Sequence, residues 1–286
     1  MKDDLGKRMK EQYEQRTRTW LPRRTYTIIR LDGKAFHTFT KKMKRPYDED
    51  FMLNMDRTAM FLCKHIQGAK MAYVQSDEIS ILLTDFDKIT TDAWFDGQVQ
   101  KIVSVSASLA TGIFNALMLQ DYFCGEEGKG VNEHFNEGVD IEDYQISISS
   151  IVNYMPYGFP GKALAFFDSR VFCIPDPTEV ENYFVWRQKD AMRNSISMHA
   201  QSLFSHKELH GKSQSDMHDM IHDKGENWDK LPDGFKRGRT IYKDAVEYDE
   251  DNIVSKVDWA IRTPDFLKER EDLSDLIPKI NEELTD

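Results

Sequence analysis

Residues 71–84 read MAYVQSDEISILLT: two short apolar runs, Met71–Gln75 and Glu78–Thr84, joined by Ser76-Asp77. Runs of this length around a polar pair signal a β-hairpin, here without the usual Asn-Gly turn. Working outward, Pro46–Gln67 opens with acidic residues and then repeats apolar Phe51, Met55, Ala59, Leu62 and Ile66 at helical spacing. Before it, Arg24–Leu31 (RTYTIIRL) is a strand-like run stopped by Asp32-Gly33, a natural turn pair. After the hairpin, Gly97–Met118 reads as a long helix of small residues, and Phe166–Ile174 (FFDSRVFCI) as a strand pair or one bent strand. Strand, helix, strand, strand, helix, strand is the split βαβ, ferredoxin-like order. It implies an α/β (α+β) fold with an antiparallel sheet, helices on one face and the other face free for a ligand.

The flanks are plainer. Residues 5–19 read as a polar helix ending near Trp20-Leu21-Pro22. Pro177–Ser205 reads as a helix, with Thr178 and Glu181 in capping-box spacing. A shorter helix around Ser213–His222, a strand near Phe235–Tyr242 and a strongly charged tail follow. Residues 121–150 hold 8 carboxylates against one lysine and read as an excursion or loop. The expectation is one domain over 1–286, with a core at 5–176 carrying that excursion and C-terminal additions at 177–286.

With 286 residues, 40% hydrophobic, 12% aromatic and 30% charged, the chain has material for a core and is not a disordered polymer. No apolar run is read as approaching the roughly 18–20 residues of a membrane span, and MKDDLGKRMKEQYEQR lacks the apolar stretch of a secretory signal. Cys63, Cys124 and Cys173 are too few for a disulfide framework or a zinc knuckle. A soluble, cytoplasmic protein is expected. The net charge of −11 hides an asymmetry: residues 1–50 carry 14 Lys/Arg against 8 Asp/Glu, the remainder 24 against 41. A basic entry on an acidic body can attract a polyanion locally, although charge alone favours a solvated helix face.

Asp32 ends the first strand, and Asp77 with Glu78 lies in the hairpin turn. In the inferred sheet these strands are neighbours. Carboxylates gathered there repel one another unless a cation neutralises them, and magnesium suits oxygen donors. Two such ions about 3.5–4 Å apart can hold a triphosphate and activate an attacking oxygen. Taken singly, Asp-Gly and Ser-Asp-Glu are also ordinary turns, and spacing alone leaves the two readings level.

The wording of the sequence goes further. Ile29-Arg30-Leu31-Asp32-Gly33-Lys34-Ala35-Phe36-His37 resembles the RLDGxxFH motif of the tRNA-His guanylyltransferase family, and Tyr73 to Ser80 (YVQSDEIS) its YxQSDEYS motif. Arg45-Pro46 with Asp48 is similar to its KPxD segment, Phe167 to Arg170 to its FDGR, and Trp186 to Asp190 to its WRQxD. These stand in the family's order from about residue 5 to residue 243.

The resemblance implies a palm-type polymerase domain, most like the bacterial and archaeal branch, that adds nucleotides to the 5′ end of tRNA in the 3′-to-5′ direction. It implies activation of a 5′-monophosphate by ATP or GTP, two Mg2+ ions per site and a homotetramer built as a dimer of dimers. Asp32 and Asp77 match the metal-binding aspartates, the Gly33 carbonyl a backbone metal ligand, and Glu78 the third acidic catalytic residue. Lys34, Ala35, Phe36, His37, Asp48 and Ser76 fall on nucleotide-binding stretches, and Arg30, Arg45 and Lys101 on triphosphate-contacting positions. Arg45 replaces a usual lysine, which keeps the charge but changes the donor geometry. Arg187, Arg193 and Asn194 fall on segments expected to meet tRNA.

One departure matters. Where eukaryotic members carry His-Ile-Asn-Asn-Leu-Tyr-Asn, this chain has Met192-Arg193-Asn194-Ser195-Ile196. That form resembles the branch that repairs 5′-truncated tRNAs by templated addition, and it puts addition of the extra guanylate to tRNA-His in doubt. A nucleotidyl cyclase on the same palm is an alternative, though the GG(D/E)EF signature is missing. A catalytically silent tRNA-binding protein is another, opposed by the intact Asp32 and Asp77.

Separately, Lys236-Arg237-Gly238-Arg239 reads as a phosphate contact or an ordinary charged strand end. His206/His210 and His218/His222 have i, i+4 spacing but no accompanying HExxH or cysteine, so a solvated or RNA-facing surface is expected rather than zinc. The aromatics between Phe159 and Trp186 read as packing rather than base-stacking platforms.

Overall fold

Asp48 starts the helix that follows the first strand. Its carboxylate accepts the Phe51 N–H at 3.0 Å, and Glu49 and Asp50 sit in the first turn, where the helix dipole favours negative charge. The structure, a computed structural model, describes residues 4–129, 164–248 and 254–280. Most of the 121–150 segment lies outside the described residues, as does the 158–161 turn.

Six strands form one antiparallel sheet: β1 (Tyr26–Gly33), β2 (Ala69–Gln75), β3 (Glu78–Leu83), β4 (Phe167–Ile174), β5 (Arg239–Tyr248) and β6 (Val254–Arg262), in the order β4-β1-β3-β2-β5-β6. Strands β1 to β4 and the two long helices between them, α3 (Glu49–His65) and α4 (Val99–Lys129), give the ferredoxin-like arrangement expected. The smaller elements before them are α1 (Leu5–Met9), running into a π-helical turn at Lys10–Glu14, and α2 (Phe36–Phe39).

Alternation along the strands sorts the side chains. Ile29, Leu31, Val74, Ile79 and Ile81 face α3 and α4 and pack with Met55, Leu62 and Phe114. Tyr26, Ile28, Met71, Tyr73 and Leu82 point the other way. That second face is not free, as expected, but covered over much of its area. The helix α5 (Pro177–Leu203) supplies Val180, Tyr183 and Phe184, and the chain end supplies Phe266, Leu273 and Ile277. Apolar residues on both faces of β1, β2 and β3 require two layers. The ligand space is therefore confined to one end of the sheet.

Several element expectations change. α5 starts on an Asp176 cap that accepts the Thr178 N–H at 2.7 Å, with Pro177 in its first turn, so the Thr178/Glu181 box is not used. β4 is one strand. Residues 233–237 form a short helix, α8, after α6 (His206–Leu209) and α7 (Gln214–Asp223), and β5 begins only at Arg239. The charged tail supplies the edge strand β6 and the helix α9 (Arg270–Leu276). Gly238 makes the turn into β5. Its φ is +79°, and a Cβ there would overlap the Tyr73 hydroxyl, so a side chain is excluded twice over.

Val99–Asp121 has the length and mean hydropathy, 1.8, of a membrane-spanning helix, which run length alone had not suggested. Its packing is that of a helix on a sheet. Ile102, Ala110 and Phe114 are buried in the core, and the Thr111 hydroxyl and Asn115 amide bond the backbone at the start of β4.

His199, on α5, is almost fully buried, and its Nδ1 has no hydrogen-bond partner. Burial holds its pKa below the ordinary value, with the charge of Glu226 opposing. The folded chain then binds this proton more weakly than the unfolded chain. Stability is complete above the unfolded value of about 6.5 and is lost as pH falls through it. His199→Gln is expected to flatten the loss of urea-melt stability between pH 7.5 and 5.5. An unchanged loss in the variant would assign that loss elsewhere.

Candidate active site

Asp32 pairs in register with Glu78 on β3, and Leu31 with Ile79, whose side chains enter the α3/α4 core. Alternation turns Asp32 and Glu78 to the opposite face, at the end of the sheet where β2 and β3 meet. The Gly33 N–H donates to the Asp77 carbonyl at 3.1 Å, fastening the end of β1 to the hairpin turn. Ser76, ahead of Asp77, takes φ +46°, and Ala35, just past Gly33, takes φ +56°. Left-handed backbone at two residues other than glycine, beside the same carboxylates, is strain of about 1 kcal/mol or more each, held by the surrounding structure. Gly33 has a separate reason to be glycine. A Cβ would overlap the Phe36 ring, which is locked among Phe39, Phe51, Phe114 and Phe167.

Asp32, Ser76, Asp77 and Glu78 line an open cleft whose opposite wall is one face of α5. The Asp77 carboxyl is pushed up to about 6, first by burial and then by the facing charges of Asp32 and Glu78. Two carboxylates crowded in a half-dry cleft are short of positive charge. Among the described residues no set of three His, Cys, Asp or Glu could hold a metal. A pair of aspartates beside backbone carbonyls is a donor set of the kind that suits magnesium, an ion that takes one or two carboxylates and fills its remaining positions with water and phosphate.

Glu78 has a different setting. It is buried, and both its oxygens accept from Arg187, at 2.7 Å from Nε and 2.9 Å from a terminal nitrogen. Arg30 adds its charge at 3.3 Å. Burial still raises the Glu78 pKa, against the pull of Arg187 and Arg30. Arg187, expected to meet tRNA, is itself buried and also bonds Asp190 at 2.8 Å, so its Nε and one terminal nitrogen are committed to carboxylates of this chain.

The remaining sequence-derived residues divide. Lys34 and His37 are exposed beside Gly33, whereas Phe36 is a core residue that can offer a ligand only its backbone. Both Asp48 oxygens are engaged by the Phe51 and Lys44 N–H groups, so Asp48 acts as a helix cap. Arg45 is exposed on a second, smaller pocket, which shares Gln75, Ser76, Asn194 and Met198 with the cleft. Asn194 is exposed where the two cavities join, and Arg193 is exposed and bonds Asp190 at 2.7 Å. Lys236 is buried, donating to the Asp229 carbonyl and paired with Asp233, and Arg237 is paired with Asp233 at 2.8 Å. Neither offers the exposed phosphate contact that its sequence run suggested.

Lys101 is the clearest displacement. It lies two residues into α4, by the isolated bridge between Trp20 and Gln98, at the end of the sheet away from Asp32. Ten residues on, Thr111 bonds Phe167, the register partner of Gly33. At 1.5 Å per residue this puts Lys101 roughly 15 Å down the helix. Lys101→Ala is accordingly expected to leave the protomer's affinity for nucleoside triphosphate within about twofold, by equilibrium titration, since exposed charges beyond a Debye length are largely screened. A tenfold loss would mean that Lys101 reaches a site on another copy.

Sequence reading missed Asp190 as a partner in the cleft, as well as Trp186, Ser197 and Gln201, which line it. Their signal was present in the spacing 186, 190, 194, 197, 201, which is one stripe of a helix.

A family model described as tRNAHis guanylyltransferase matches residues 6–175, more than half of the chain. The chain belongs to the tRNA-His guanylyltransferase family. A solved bacterial tRNA(His) guanylyltransferase-like protein in complex with ATP is similar to it with a TM-score of 0.75 and 38% identity, covering 97% of this chain and 100% of that one. A complex of such a protein with GTP gives a TM-score of 0.72 and 36% identity over the same shares. An uncharacterized protein of Acanthamoeba polyphaga mimivirus is 26% identical over 265 residues, 89% of this chain and 82% of its own length. Membership of the guanylyltransferase family makes the chain a nucleotidyltransferase of tRNA processing, rather than a cyclase or a silent binder.

Proposed function

We propose that this chain is a cytoplasmic enzyme that extends the 5′ end of a truncated tRNA in the 3′-to-5′ direction, choosing each nucleotide by the base opposite. The observation that carries this reading is the meeting of Asp32 and Asp77 at one end of neighbouring strands, in a cleft that opens into a second cavity rimmed by Lys44 and Arg45. In the first step a 5′-monophosphate oxygen attacks the α-phosphorus of ATP or GTP, forming the activated 5′ end as the bond to the leaving pyrophosphate breaks. The 3′-hydroxyl of the incoming nucleotide then attacks the activated 5′ phosphorus, forming a new P–O bond as the bond to adenylate, guanylate or pyrophosphate breaks.

Such chemistry needs positioning and charge stabilisation more than covalent help from the protein. Asp32 and Asp77, with the Gly33 carbonyl, would hold Mg2+, which supplies charge for the phosphate oxygens when bound. Arg30 and Arg45 stabilise anionic oxygens from two sides, and the backbone of 34–37 with Ser76 cradles the nucleotide. Arg193 and Asn194 face the RNA. Glu78, through Arg187 and Arg30, positions the carboxylate end of the sheet and does not itself meet the phosphates. The reading includes a homotetramer, in which contacts from several subunits would together hold an RNA that a single protomer of net charge −11 repels.

The test is incorporation into a 5′-truncated tRNA with magnesium and each nucleotide in turn. Addition that tracks the opposing base supports templated repair. Guanylate added regardless of the opposing base supports instead the guanylyltransferase duty at the position before the first nucleotide.

A further inference from the structure

Trp186 was read from sequence as a packing residue, yet its side chain is 48% exposed. It stands in the wall of the cleft that holds Asp32 and Asp77. One side of its ring is braced. The Arg187 guanidinium lies 4.4 Å from the ring centroid and is itself fixed by its bonds to Glu78 and Asp190. Tyr183 meets the ring edge-on at 5.9 Å and is held by a 2.8 Å bond to Ser80. An indole kept open to water yet immobilised from behind by a buried ion pair presents a rigid flat surface.

We infer that Trp186 is a stacking platform for the terminal base of the RNA end being extended. Every base has a π face, so stacking accepts any terminal base, as an enzyme that reads the opposite strand for sequence requires. RNA ends are commonly bound by stacking on aromatic side chains. The same stripe of α5 continues from Trp186 through Asp190, Asn194, Ser197 and Gln201, a polar wall of roughly 22 Å at 1.5 Å per residue. The platform therefore sits at one end of a track that a nucleic-acid strand can follow. The inference rests on the proposed reading in taking RNA as the polyanion.

The experiment uses the full-length chain and a hairpin RNA whose 5′-terminal base is 2-aminopurine. Fluorescence is read on binding, with no triphosphate present. Wild-type protein is expected to quench the probe. Trp186→Phe should keep most of the quench, and Trp186→Leu should lose it, with an RNA affinity roughly 5- to 100-fold weaker and an unchanged melting temperature. A probe six base pairs inside the stem should respond equally to all three proteins. Quenching by Trp186→Leu equal to wild type overturns the platform, as does equal loss in the Leu and Phe variants. A change of oligomeric state in Trp186→Leu, with quenching retained, would make Trp186 an interface residue instead. Because the readout needs no turnover, a Trp186-dependent quench without extension would sink the proposed function alone, and extension without the quench would sink the platform alone.

Discussion

Asp32→Ala and Asp77→Ala are each expected to abolish nucleotide incorporation, by on the order of 10³-fold or more, because each would remove one of the two carboxylates proposed to face the reacting phosphates. tRNA affinity, measured by filter binding in the same buffer, stays within about threefold, since binding draws on many phosphate contacts elsewhere. Asp77→Asn separates charge from shape. Burial and the charge of Asp32 already hold the Asp77 carboxyl at about 6, so the ionised group at neutral pH costs the metal-free fold stability. The amide should raise the melting temperature in chelator, by on the order of 2 kcal/mol of stability, while incorporation is lost. Magnesium should then raise the melting temperature of the wild type and not that of the variant. Equal incorporation by the alanine variants, or an Asp77→Asn protein less stable than its parent in chelator, contradicts this arrangement.

Arg187→Leu is the variant expected to lose most stability, about 3–5 kcal/mol, because it strands the Glu78 carboxylate in a buried setting. Glu78→Gln with Arg187→Met should recover much of that loss, since removing both partners leaves no uncompensated charge. Arg187→Lys recovers only part, as an ammonium cannot reproduce the two-pronged contact. Urea melts of the four proteins give the numbers. If Arg187 were instead a direct tRNA contact, Arg187→Leu would melt like the parent and lose RNA affinity with a smaller salt slope. That outcome would return Arg187 to the role its motif suggested.

The β1–α3–β2–β3–α4–β4 core was legible because each element carries its own local signal: β-branched runs, an acidic first turn, apolar residues at helical spacing. Asp32 and Asp77 were legible too, since they terminate elements that any ferredoxin-like order brings side by side. The residues whose setting was not legible were those whose surroundings lie far away in sequence. Lys236 and Lys101 look alike in sequence, yet one is buried against Trp228 and Asp233 and the other lies exposed at the far end of α4. The edge strand β6 was hidden by a charged tail, because an outer strand needs an apolar partner on one side only.

By itself, then, the amino-acid order determined the split βαβ core and the place of the two aspartates at its strand ends, because short-range periodicity and residue type are written directly in the chain. Only the tertiary structure decided that α5 and the chain end cover much of the supposedly open face, that Glu78 spends its charge on Arg187, and that Trp186 stands bare in the cleft. Burial and pairing are set by elements a hundred residues apart meeting in space, and no local pattern encodes that meeting.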